Sequence, residues 1–89
     1  MDSLPAGIKP LRMARPRKKT LLRDRLAVNV RTHRIARQWT QEDLEHQSGV
    51  SQRYISRIES AKVAATVDTV QKLAEALGVD GVHLLNEAP

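Results

Sequence analysis

Thr40 to Lys62 read TQEDLEHQSGVSQRYISRIESAK, and the punctuation of this stretch divides it into two short helices joined by a tight turn. The Thr40 hydroxyl is placed to accept from a free first-turn amide, and Glu42 and Asp43 follow where a helix dipole favours negative charge. Leu44 continues at helical spacing until Gly49, which tolerates the left-handed backbone that ends a helix. Ser51 offers a second cap one residue past Val50, so another helix is predicted over about residues 51–60.

In that second helix Ile55, Ile58 and Ala61 recur at intervals of three with Tyr54 beside them, a helical stripe and not a strand alternation. The opposite side carries Gln52, Arg53, Ser56 and Arg57, gathered near the start of the helix where side chains reach past the first turn. A forked amide matches the major-groove edge of adenine, and a guanidinium matches that of guanine. Duplex DNA therefore suits the chemistry of this face.

Four segments together, Thr40-Gln41-Glu42-Asp43-Leu44, Gly49-Val50-Ser51, Tyr54 to Glu59 and Leu73 to Val79, resemble the Cro/C1-type (XRE) helix-turn-helix family. The resemblance runs from about Leu26 to Asn86. It implies an all-α, five-helix domain of the lambda-repressor kind and a cytoplasmic DNA-binding regulator of transcription that is no enzyme. Restriction-modification controller proteins are similar in size and in the TQEDL and YIS segments, and phage-type repressors come next. In this family an arginine near position 34 pairs with the glutamate closing the third helix, so Arg34 and Glu59 are expected to form an internal ion pair. The alternative for Arg34 is a phosphate. The family also implies that Gln41 and Gln52 hydrogen-bond to one another, Gln41 holding the DNA backbone and Gln52 reading a base.

Arg53 and Arg57 are four apart and share a helix face, which makes them candidate base readers, with phosphate the competing partner for Arg57. Ser51, Ser56 and Lys62 are candidate backbone contacts. Two residues depart from the family pattern. Glu45 stands where a small residue lets the second and third helices cross closely, and Ala61 stands where glycine commonly ends the third helix.

With 89 residues and no Cys, the chain has room for one core, free of disulfides and thiol chemistry. Its aromatics are Trp39 and Tyr54, so Leu, Ile, Val and Ala must build that core, and Trp39 is expected to fold back over the join of the first two helices. The net charge of +5 is unevenly spread. Residues 1–21 hold six bases and one acid, whereas residues 22–89 hold nine of each. Attraction to phosphate from the folded part must come from placement.

Residues 1–20 contain Pro5, Pro10 and Pro16 with little periodicity and read as a flexible basic arm, densest at Arg15-Pro16-Arg17-Lys18-Lys19. Such an arm either follows phosphates or the minor groove, or is a solvated tail. The domain proper is predicted over 21–89. Leu21 to Gln38 is expected to be its first helix, with Leu22, Leu26, Ala27, Val30 and Ile35 on the apolar side. Thr66 caps a fourth helix carrying Val67, Val70, Leu73, Ala74 and Leu77 up to Gly78, and Asp80 caps a short fifth. Val82, Leu84 and Leu85 in that last helix are the candidate dimer interface, since a homodimer meets successive faces of a palindromic operator.

No apolar run approaches the ~20 residues of a membrane span, and no secretory signal is evident. His33, His46 and His83 are scattered, without paired-ligand spacing, so no metal, cofactor or small-molecule site is predicted. Double-stranded DNA and a second copy of the chain are the expected partners. The alternative from another class is an antitoxin-like module that holds a partner protein, with DNA binding secondary.

Overall fold

The computed structural model describes residues 22–87, so the expected basic arm over 1–20 lies outside the described residues. Five helices follow in order: α1 Leu22–Ala36, α2 Gln41–Ser48, α3 Gln52–Glu59, α4 Val67–Leu77 and α5 Gly81–Leu85. The described residues contain no strand, and the fold is all-α.

The starts of α2 to α5 are each written in a side chain. Thr40 accepts from the Asp43 amide while the Asp43 carboxylate takes the Thr40 amide, a reciprocal capping box at α2. Ser51, Thr66 and Asp80 accept from the amides of Tyr54, Thr69 and Val82 to open α3, α4 and α5. Three of the ends share one solution as well. At α1, α3 and α4 the chain turns back through a left-handed residue, with amide bonds Trp39 to Arg34, Lys62 to Arg57 and Val79 to Ala74 spanning the last turn. Glycine fills that position only at Gly78; Gln38 and Ala61 adopt φ 59° at the other two. Gly49, at φ 81°, lets the chain leave α2 and enter α3 within three residues.

Leu26, Val30, Leu44, Val50, Ile55, Ile58, Val70, Leu73, Ala74, Leu77 and Leu84 form the continuous core. α1 packs on α3 and α5, α2 on α3 and α4, and α4 on α5. Trp39 and Tyr54 lie half-buried against this core, Trp39 folded back as its sequence context predicts. α3 is held in the middle by Ile55 and Ile58, 0% and 1% exposed, each contributing about 1.5–3 kcal/mol of burial. Its polar side consequently faces outward in one orientation only.

Some expectations shift. The first helix ends at Ala36, two residues before the predicted Gln38. Ile35, expected on its apolar side, is 51% exposed, because five residues beyond Val30 is a rotation of roughly 140° away from the core. Val67 is 84% exposed, standing at the first position of α4. Leu84, a candidate interface residue, is 0% exposed and belongs to the core, so of that trio only Val82 and the half-buried Leu85 reach the surface. No described helix is long and apolar enough to cross a membrane.

Candidate nucleic-acid interface

Gln52, Arg53, Ser56 and Arg57 line one shallow depression on the outer side of α3. Arg53 and Arg57 are exposed, and Gln52 and Ser56 are half-buried at their base. The first turn of α3 carries no acid, so the positive end of its dipole is left unopposed beside two guanidiniums. Among the described residues, neither Arg53 nor Arg57 makes a salt bridge, and both heads are available to a ligand.

Behind this face runs a chain of side-chain hydrogen bonds. The Gln52 amide donates from Nε2 to Gln41 Oε1 at 2.9 Å, and Gln41 Nε2 donates to Glu59 Oε1 at 3.1 Å. Glu59 in turn accepts from Arg34 Nε at 2.8 Å and from Arg34 NH2 at 2.9 Å. Arg34 NH1 ends the run on the Trp39 carbonyl at 2.7 Å. The hydrogen bond to Glu59 raises the Arg34 pKa above its ordinary value, with desolvation opposing it. Thus α1 and the start of α2 set the angle of the Gln52 side chain. One amide hydrogen and the carbonyl oxygen of Gln52 are left over after the bond to Gln41, and these are the donor and acceptor that adenine N7 and N6 require.

Ser51 sits at the rim, its hydroxyl oxygen engaged by the Tyr54 amide at 3.2 Å. Among the described residues its hydroxyl proton has no acceptor. Lys62 is exposed just past the turn that closes α3, on the same end of the molecule as Arg57, whose carbonyl takes the Lys62 amide at 2.9 Å. Glu45 is exposed.

Three arrangements have no counterpart in the sequence reading. Asn29, 6% exposed, donates from Nδ2 to the carbonyls of Leu84 and Asn86, both at 2.8 Å, tying α5 to α1. Its polar amide within an apolar stripe is the signal that could have marked it. Arg37 bonds the carbonyls of His33, at 2.8 Å, and Leu77, fastening the end of α1 to that of α4. His33 and His83 meet on the surface, their Nε2 atoms 3.1 Å apart. Elsewhere, an apolar groove of about 640 Å³ is walled by Leu22, Leu26, Val67, Val70, Val82 and Leu85.

The helix-turn-helix family model HTH_3 matches residues 30–84, more than half of the chain. A hypothetical transcription factor of Neisseria meningitidis is 38% identical over 64 residues, covering 72% of this chain, and the chain spans 60% of the length of that relative. The crystal structure of the hypothetical transcription factor NHTF from Neisseria superposes with a TM-score of 0.74 at 34% identity, over 83% of this chain and 85% of that one. The restriction-modification controller protein C.Esp1396I, crystallised as a tetramer with its natural 35 base-pair operator, superposes with a TM-score of 0.67 at 26% identity, over 74% of this chain and 87% of that one.

Proposed function

The chain belongs to the HTH_3 helix-turn-helix family, of the Cro/C1 (XRE) type, and from that we propose that it is a sequence-specific DNA-binding transcriptional regulator whose α3 enters the major groove of a palindromic operator as part of a homodimer. The observation that carries the reading is the outer face of α3, where a pre-oriented amide and two exposed guanidiniums stand together on a helix fixed by its buried isoleucines. Gln52 reads adenine. Arg53 and Arg57 each grip guanine through O6 and N7. Gln41, Ser51, Ser56 and Lys62 hold the flanking phosphates and so set the register of α3 on the duplex.

A single reading helix covers few base pairs, and two copies about 34 Å apart along the duplex multiply the discrimination. The C.Esp1396I assembly on its operator supports this arrangement by analogy. The exposed Leu22, Val67 and Val82, at 58%, 84% and 66%, border an apolar groove that a second copy would cover, with Leu85 at its floor. Val82 and Leu85 are the interface residues of this reading.

Selection of binding sites from random duplexes, run on the full chain and on Arg53→Ala and Arg57→Ala, tests it. Each variant is expected to lose preference at defined base positions, at a cost of about 1–3 kcal/mol for each good bidentate contact. Loss of affinity spread evenly over all sequences would remove both arginines from the role of base readers.

A further inference from the structure

His33 on α1 and His83 on α5 are separated by 50 residues of sequence, yet their Nε2 atoms stand 3.1 Å apart. The rings meet edge to face, with centroids 5.1 Å apart and planes inclined at 64°. Two ring nitrogens this close share a proton, one ring donating and the other accepting. With the rings turned so that both Nε2 lone pairs converge on one point, they can instead share a cation. Imidazole nitrogens bound at about 2.0–2.1 Å to one ion are held roughly 2.9–3.4 Å apart by octahedral or tetrahedral angles, and the observed separation lies inside that window.

We propose that His33 and His83 form a two-histidine site for a divalent transition-metal ion of the zinc, nickel or copper type, bridging α1 and α5. Imidazole is a ligand for these ions in preference to calcium or magnesium, which ask for oxygen. The backbone of the site is set before the ion arrives. Asn29, one turn before His33 on α1, bonds the carbonyls of Leu84 and Asn86 on either side of the α5 terminus, so the backbones carrying the two rings are already docked. His33 is half-buried and His83 exposed, which leaves one side of the ion open to water. Among the described residues no group of three or more His, Cys, Asp or Glu side chains is arranged around a metal, so water fills the remaining positions.

Burial, His83 and Arg37 together lower the His33 pKa. Arg37 also opposes the ion. Its NH1 stands 3.5 Å from His33 Nδ1, the atom that takes the imidazole proton once Nε2 is ligated, and that contact has to open. Arg37 stays anchored through the His33 and Leu77 carbonyls when it does. The scatter of the three histidines along the sequence, which predicted no metal site, conceals a pair that only the return of α5 onto α1 creates.

Tag-free protein titrated by calorimetry with ZnCl2, and separately with NiCl2, is expected to take up one ion per chain and to melt at a higher temperature in its presence. His33→Ala, and His83→Gln, which keeps a hydrogen-bonding partner for His33 but no imidazole, are each expected to weaken uptake at least tenfold and to abolish the rise in melting temperature. His46→Ala removes the exposed histidine of α2 and should change neither. Circular dichroism establishes that each variant is folded before titration. Uptake by folded His83→Gln equal to that of the parent protein, or none by the parent at millimolar ion, overturns the site and leaves a hydrogen bond alone.

Discussion

Arg34 holds both oxygens of Glu59, Nε to Oε2 at 2.8 Å and NH2 to Oε1 at 2.9 Å, and so locks α1 to the last turn of α3. The two side chains are 12% and 3% exposed. A pair this dry adds little over a well-packed apolar pair, but a lone survivor is left charged out of water. Arg34→Met and Glu59→Leu are each expected to cost about 3–5 kcal/mol in urea unfolding, and the double variant to regain most of that loss. Additive losses in the double variant would show that the charges do not depend on each other.

Ala61 takes a backbone conformation that favours glycine, φ 59°, in the turn that closes α3. The turn is kept by the Lys62 amide on Arg57 and the Ala61 amide on Ile58, both at 2.9 Å. A Cβ in the left-handed region costs about 1–2 kcal/mol, partly offset by the greater freedom glycine loses on folding. Ala61→Gly should therefore stabilise the fold by roughly 0.5–1 kcal/mol, raising the melting temperature by about 4–8 °C per kcal/mol. A lower melting temperature would mean that the turn is set by tertiary packing and not by this residue.

The caps made these helices legible in advance: Thr40, Ser51, Thr66 and Asp80 each bond the amide that opens a helix, and such local bonds depend on neighbours in sequence alone. The outward side of α3 followed from the same spacing, because Ile55 and Ile58 leave one direction for Arg53 and Arg57. What spacing does not encode is how α5 returns. Leu84 looked like its neighbours Val82 and Leu85 until α5 lay on α1, which buried Leu84 and left Val82 exposed. Asn29 and the His33–His83 pair were hidden for the same reason, their partners lying fifty or more residues away.

Gln41 and Lys62 stand at opposite ends of the proposed contact and should fail differently. Without the Gln41 carbonyl, Gln52 loses the bond that aims it, so Gln41→Ala is expected to relax preference at the base read by Gln52 as well as lowering affinity. Lys62→Ala should weaken all duplexes alike and flatten the slope of log affinity against log salt by about 0.9, the share of one phosphate. Fluorescence anisotropy at several salt concentrations, on matched and single-mismatch duplexes, separates the two. Identical profiles would remove the distinction between aiming and clamping.

Asn29 supplies the side-chain bonds that fasten the end of α5, to Leu84 O and Asn86 O. Replacing it with leucine leaves those carbonyls without their donor, at an expected cost of about 1–3 kcal/mol. Since α5 also carries Val82 and Leu85, loosening it should weaken self-association more than it disturbs α3. Sedimentation equilibrium is expected to show Asn29→Leu shifted toward monomer at concentrations where the parent protein dimerises, with the circular dichroism of the other helices retained. A dimer of unchanged strength would detach the interface from α5.

His33 is expected to make the fold sensitive to mild acid. Its pKa is lowered from the usual 6.5 mainly by burial, then by His83 and by Arg37, so the folded state prefers the neutral ring. A titrating group with a depressed folded pKa contributes stability that is full above the unfolded value and is lost as pH falls through the folded one. The loss is therefore expected below about pH 6.5, the unperturbed value for histidine. Acidic side chains titrate lower still, which makes the comparison with a variant decisive. Urea unfolding of the parent protein and of His33→Gln, both in EDTA, should show the parent losing more stability than the variant between about pH 7.5 and 5.5. A difference that stays flat over this range would mean that the two states bind the His33 proton equally well.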